Sequence, residues 1–363
     1  MESNILPLYT NINGNSANAG NKVLLDVTNS SSTDSSDNVY LEDGSSTYTL
    51  LSFPTRSELS GGTDDYAVTA GELDTGYGKF EDTESEDINL VLGGRGGGAG
   101  DTASSQDTHV TMLTALVEKR RDCVAFVSPH KGNQISYSGS ALSASAQREN
   151  TLNFFNAITS TSFAVLDSGY KYMYDRFNDK YRYIPCNGDV AGLCVNVSST
   201  VADWISPAGL NRGGIRNAIK LAFNPNKADR DELYQARVNP IVSFAGSGAV
   251  LFGDKTALAA PSAFDRINVR RLFLNVEKRV EELAKGVLFE LNDETTRYGF
   301  LSTINSYLAE ISALQGITDY LVVCDSSNNT PEIIDRNEFV AELFIKPARS
   351  INYVTVTFTA TRN

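Results

Sequence analysis

The chain has 363 residues, 41% of them hydrophobic, and a formal net charge of −13. That length can bury a sizeable core and allows two domains. The acidic balance argues against a nucleic-acid groove or an anionic membrane surface as the main partner, because phosphate binding relies on clustered Lys and Arg, and no stretch approaches the roughly 20 apolar residues of a bilayer span.

Residues 1–57 are rich in Ser, Asn, Thr and Asp, with short apolar runs at 23–25 and 48–51. They read as a partial β- and loop-rich region, the end of a preceding surface domain or a linker. Residues 58–363 read as one core domain, with 58–127 as its βαβ entry and 128–363 as the remainder. Segment 58–87 is strongly acidic, including Asp64, Asp65, Glu72, Asp74, Glu81, Asp82, Glu84, Glu86 and Asp87 against Lys79. This is expected to be a solvated face, since the spacing lacks the ordered ligands of a calcium loop and no metal site is expected.

A strand-like run, Ile88–Leu92, precedes the glycine loop Gly93–Gly100, a helical pattern with Val110, Leu113 and Val117, and a second apolar run, Cys123–Val127. This order predicts a crossover between parallel strands. A glycine turn before a helix N-terminus can cradle a phosphate, so a nucleotide-using enzyme is one alternative. No Lys follows the glycines as a P-loop requires, and a surface loop is the preferred reading. A helix over 146–158 and a strand over 162–166 continue the α/β order. Tyr170, Tyr172 and Tyr174, then Tyr181 and Tyr183, alternate at period two around Asn178-Asp179 and predict a hairpin. Its aromatics fit a packed or subunit-facing sheet, with a sugar-binding surface as the other alternative.

From 268 to 291 an apolar stripe of Val269, Leu272, Val276, Val280, Leu283 and Val287 predicts a long amphipathic helix, and Phe300, Ile304, Leu308 and Ile311 predict a second. Three strand-like runs close the chain, 319–324, 338–345 and 351–359, with 346–350 as the loop of a C-terminal hairpin whose edge another chain can extend. The fold class is therefore α/β (α+β), a mixed sheet flanked by helices. Cys123, Cys186, Cys194 and Cys324 show no metal or disulfide spacing and read as buried thiols. His109 and His130 have no partner nearby in sequence for a nucleophile-base pair.

Two blocks, Pro261-Ser-Ala-Phe-Asp-Arg-Ile-Asn-Val-Arg-Arg271 and Cys324 to Phe339 running into Lys346–Asn352, resemble the tail sheath protein of T-even-type contractile-tailed bacteriophages. Trp204–Gly213, Leu233–Pro240 and Phe289–Asn292 continue the resemblance in order from about Ser60 onward. It implies a structural subunit with no catalytic residues and no cofactor. Such subunits stack as six-membered rings around a tail tube, and contract to drive the tube through a host envelope for genome delivery. The implied partners are other sheath subunits, the tail tube protein, and baseplate and terminator proteins, with no direct nucleic acid or membrane contact. The implied location is the virion tail, after assembly in the host cytoplasm. Strand addition is implied at a hairpin bearing Val340, Leu343, Ile345, Val354, Val356 and Phe358. Clustered charges at Asp265, Arg266, Arg270 and Arg271, and at Asp335, Arg336, Lys346 and Arg349, are candidates for subunit or tube contacts; local capping and loop bracing is the other reading. Charge reversal at Arg270 and Arg271 is accordingly expected to impair assembly more than folding. Members of that family carry an N-terminal arm and a C-terminal extension, and the chain is expected to be a C-terminal fragment of such a protein.

Overall fold

The computed structural model divides the chain into two units, residues 1–65 and 66–363, and describes residues 68–95, 103–136 and 139–350 together with three short strands of the first unit. Those strands, β1 (Val23–Leu24), β2 (Asn38–Glu42) and β3 (Tyr48–Ser52), form an antiparallel sheet in that order, with Asn38 opposite Ser52 and Glu42 opposite Tyr48.

The second unit begins with α1 (Ala70–Tyr77), started by a capping box: the Glu72 N–H donates to the Thr69 hydroxyl and the Thr69 N–H donates to the Glu72 carboxylate, at 3.3 and 2.7 Å. Then come β4 (Leu90–Leu92), α2 (Ala103–Arg120) and β5 (Val124–Val127). β4 and β5 pair in parallel, which bears out the expected strand-helix-strand crossover. α3 (Ala144–Asn156), capped by Ser143, leads to β6 (Ala164–Asp167), also parallel. The tyrosine hairpin follows as β7 (Tyr170–Asp175) and β8 (Lys180–Pro185), then α4 (Asn187–Thr200), β9 (Lys220–Leu221) on the free side of β7, and α5 (Lys227–Gln235). β10 (Val238–Asn239) completes a four-stranded parallel sheet in the order β10-β6-β5-β4. This sheet runs across position 127, joining strands from both parts of the core domain.

Side-chain alternation explains why these strands are apolar throughout. Val91, Ala125, Val127, Ala164, Leu166 and Val238 face one core with Val110, Leu113 and Val117 of α2, Phe154 and Phe155 of α3, and Leu233 of α5. Val124, Phe126 and Val165 face a second core with Val190, Ala191 and Cys194 of α4. A parallel sheet covered on both faces requires such a continuous run. Each fully buried large aliphatic or aromatic side chain contributes roughly 1.5–3 kcal/mol.

The hairpin β11 (Ile241–Phe244) and β12 (Gly248–Leu251) adds Ile241 and Leu251 to the second core. α6 (Ile267–Lys285) places Ile267 there too, then turns Leu272 and Val276 into a third core with Phe300, Ile304, Leu308 and Ile311 of α7 (Glu294–Ala313). β13 (Ile317–Val323), the short helix α8 (Pro331–Asp335) and β14 (Glu342–Pro347) complete the described chain, with β13 and β14 antiparallel. Gly316 packs too closely for a side chain without a shift of its neighbours: a Cβ there would lie 2.6 Å from Ile311 Cγ2 and 2.9 Å from the Trp204 ring. The Trp204 indole N–H donates to the Leu314 carbonyl at 3.1 Å, pinning the α7–β13 turn.

The structure corrects the bounds of the long helix. The long helix ends at Lys285, not 291, because the chain turns after Gly286 and Phe289 adopts a left-handed φ of 71°. Leu288, Phe289 and Leu291 are consequently exposed. The mixed α/β class holds, with parallel and antiparallel strands in separate sheets: crossovers through helices keep β4, β5 and β6 parallel, while short turns make β7–β8 and β11–β12 antiparallel. The four cysteines are buried and unpaired, as expected.

Candidate subunit interface

β13 and β14 form a peripheral two-stranded sheet with unlike faces. Tyr320, Val322, Leu343 and Ile345 pack inward on the third core. The pairs Asp319–Lys346, Leu321–Phe344 and Val323–Glu342 alternate with them, and Leu321 and Phe344 are 57% and 56% exposed. Directly opposed apolar and oppositely charged side chains stabilise the pair, while leaving an amphipathic outer surface.

The expected hairpin joins 338–345 to 351–359; the structure shows β14 paired with β13, and 351–359 lies outside the described residues. Val340 lies before the strand, and its backbone N–H and carbonyl both bond the Asn329 side chain at 2.8 Å, so neither is open to an added strand. Lys346 is a strand residue opposite Asp319 instead of a loop residue, because β14 continues to Pro347. Leu343 and Ile345 are on the strand, with inward side chains. Val354, Val356 and Phe358 lie outside the described residues.

The two charged blocks differ in surroundings. Arg270 is 8% exposed; its guanidinium donates to the Ser162 hydroxyl at 2.6 Å and lies 4.2 and 4.1 Å from the Phe163 and Phe264 ring centres. Burial lowers its pKa. This removes Arg270 from the surface. The expectation is that reversal here impairs assembly more than folding, but a carboxylate at this position would be buried among aromatics, so its reversal is expected to cost folding directly. Arg271 donates to Asp203 at 2.7 Å, to the Ser198 hydroxyl and to the Cys194 carbonyl, bracing α4 against α6. Arg266 bonds Asp254 at 3.2 Å, Asp265 at 3.3 Å and the Tyr234 hydroxyl. In the second block Asp335, Arg336, Lys346 and Arg349 are all exposed, with Arg336 paired to Glu338 at 2.8 Å.

Sequence reasoning missed a cleft of about 970 Å3 lined by residues from Trp204 to Ser350. At its floor the Asp254 carboxylate, 4% exposed, accepts from Tyr234, Arg266, Ser206 and Ser350 at 3.1, 3.2, 3.2 and 2.6 Å. Burial and the neighbouring Asp254 charge push the Tyr234 hydroxyl pKa up. Its contributors are scattered over nearly 150 positions, and no local periodicity marks them.

The glycine loop begins at the carboxyl end of β4. Gly93 and Gly94 are tied down through their carbonyls, by the His109 ring at 2.9 Å and the Asn187 amide at 2.6 Å. At the carboxyl ends of β5 and β6, the Ser128 hydroxyl donates to Asp167 at 2.6 Å and the Gly169 N–H donates to it at 2.8 Å. Burial raises the Asp167 pKa to about 8 despite these bonds. On the hairpin, Tyr172 stacks on Tyr181 at 5.5 Å and lies 4.9 Å from Lys220 Nζ, so these rings share their faces with one another. No group of three or more His, Cys, Asp or Glu side chains that could hold a metal exists among the described residues.

The phage tail sheath protein central domain matches residues 68–257, and the phage tail sheath C-terminal domain matches residues 259–361. The tail sheath protein of Vibrio phage KVP40 is 43% identical over 309 residues, 83% of this chain and 46% of its own length. That of Enterobacteria phage T4 is 43% identical over 314 residues, 84% of this chain and 46% of its own length. The chain thus spans about half the length of these relatives. Among solved structures, the helical sheath of the anti-feeding prophage in its contracted state shares the fold, with a TM-score of 0.62 at 17% identity over 81% of this chain and 75% of that one.

Proposed function

The chain belongs to the phage tail sheath family, and from that premise we propose that it is the structural part of a contractile tail sheath subunit, polymerising as six-membered rings around a tail tube and contracting to drive the tube through a host envelope. The observation that supports this best is the division of labour in the second unit. A parallel sheet covered on both faces supplies a stiff body, while β13 and β14 present an amphipathic surface at its periphery. Backbone bonds between strands do not depend on side-chain repacking, so a strand added from a neighbour at this sheet holds a lattice together while the bodies exchange polar surface contacts. Contraction follows if the extended lattice is metastable and many small gains favour the contracted one.

In this reading the partners are further copies of the chain, the tail tube, the baseplate and a terminator, the site of action is the virion tail after assembly in the host cytoplasm, and no catalysis is involved. Asp335, Arg336, Lys346 and Arg349 are among the exposed charges open to neighbours or tube. Negative-stain electron microscopy of the concentrated chain, alone and with tail tubes, tests it. Striated tubes, six-fold rings or decorated tail tubes are expected; uniform small particles under both conditions would overturn polymerisation by this polypeptide.

A further inference from the structure

Building on the sheath reading, we propose that the cleft at Asp254 is a subunit contact that takes the acidic turn Glu81–Asp87 of a second copy of this chain. The cleft is lined by Arg212, Lys227, Arg230 and Arg349 in a protein whose net charge is −13. Arg212, Lys227 and Arg349 are exposed and make no ion pair among the described residues. Asp254 does not neutralise them, because its carboxylate is engaged by Arg266, Tyr234, Ser206 and Ser350. Asp231 is the other acid in the lining. Lys227 is the first residue of α5, where the helix dipole favours an anion. Local stability therefore does not account for a cation at that position, whereas an anionic occupant does.

The acidic turn has a matching construction. Arg120, whose side chain is fully buried, donates to the Phe80 carbonyl, to the Asp82 carbonyl at 2.8 Å and to the Glu86 carbonyl at 2.7 Å, with Asp122 balancing its charge. Three carbonyls gathered by one guanidinium fix the backbone of a turn that composition alone reads as solvated chain. Residues 81–87 are all exposed, and Glu84 and Glu86 make no ion pair among the described residues. A turn already held in shape loses little freedom on docking.

The two patches do not meet within one chain. Asp87 pairs with Lys278 of α6, whereas Asn268, on the same helix, lines the cleft, about 15 Å away at 1.5 Å per residue. Complementary patches at different places on one molecule make a head-to-tail contact, which generates closed rings or open helices. Exposed ion pairs are individually weak and screened by salt, so this contact can be made and broken as bodies move.

Sedimentation velocity on the full chain tests the proposal with two charge-reversed variants, Glu84→Lys/Glu86→Lys and Arg212→Glu/Lys227→Glu/Arg349→Glu, each checked for an unchanged near-ultraviolet circular dichroism spectrum. The unaltered chain is expected to associate at low salt and to lose about tenfold or more in association constant on raising salt to about 0.5 M. Each variant alone should lose about as much, since its turn and cleft then carry like charge, and an equimolar mixture should recover association because opposite charges are again available. A parent that stays monomeric at low salt, variants that associate like the parent, or a mixture that fails to recover would each overturn the contact. Tubes or rings that survive both reversals would remove this contact and leave the sheath reading standing. Recovery in the mixture without any tubes or rings would do the opposite.

Discussion

Asp265-Arg266 and Asp335-Arg336 place one dipeptide in two different settings. The first precedes α6 and is drawn inward, where Arg266 meets Asp254 and Tyr234 in a partly buried network. The second closes the five-residue α8 on the periphery, with Asp335 as its last residue and Arg336 just beyond it, where Arg336 pairs with Glu338, their side chains 62% and 52% exposed. Desolvation decides the difference. A charge held away from water is costly to leave unpaired, so its removal is felt by the fold, whereas an exposed pair contributes about 0–1 kcal/mol and is free to serve another molecule.

Four measurements break or sharpen this contrast. Arg270→Glu, in the inner block, is expected to lose about 3–5 kcal/mol in urea denaturation, by placing an unpaired carboxylate between Phe163 and Phe264. A loss below 1 kcal/mol would show that the inner block tolerates charge like the outer one. Asp167 extends the test to pH. Its pKa of about 8 means the folded chain keeps a proton that the unfolded chain has released, so stability falls as pH rises from the ordinary aspartate range to about 8. Across about pH 5.5 to 8 this amounts to something on the order of 3 kcal/mol at 1.36 kcal/mol per unit. Asp167→Asn should flatten that slope in thermal melts, leaving the opposite trend of buried His109, whose pKa burial lowers.

Gly316→Ala is expected to cost about 1–3 kcal/mol by overpacking against Ile311 and Trp204, and a neutral result would mean that the α7–β13 turn relaxes freely. Smallest of all, Arg336→Ala should change stability by less than about 0.5 kcal/mol while altering assembly on tubes seen by electron microscopy. If neither changes, the outer block is bystander surface.

These positions also show what was legible beforehand. The parallel sheet was readable because residues buried on both faces of a strand leave an uninterrupted apolar run, as at 124–127 and 164–166, and α7 because Phe300, Ile304, Leu308 and Ile311 keep helical spacing. Charge has no such signature. Nothing in the charge pattern separates Arg270 from Arg336; what does is the arrival of Phe163 from a distant segment, which with the local Phe264 sandwiches the Arg270 guanidinium. The end of α6 was overrun because Val287 keeps the apolar period past Gly286 while the backbone turns. The cleft was invisible because Trp204, Arg212, Lys227, Asp254 and Arg349 converge only in three dimensions. The order of landmark residues nonetheless identified the family, since Trp204, Leu233, Asn239 and Gly213 are anchor points where backbone or core leaves little choice: the Asn239 amide donates to the Leu166 and Lys255 carbonyls, and a Cβ on Gly213 would meet the Leu251 carbonyl oxygen at 2.7 Å.

α6 belongs to two cores at once, with Ile267 under the parallel sheet and Leu272 and Val276 under the peripheral one. Its 19 residues make a rod about 28 Å long, and bending between the sheets would mean opening either core. A load applied at β13 and β14 is therefore delivered to the parallel sheet with little lost to internal give, so any stroke made by such units must come from how whole bodies pivot against one another.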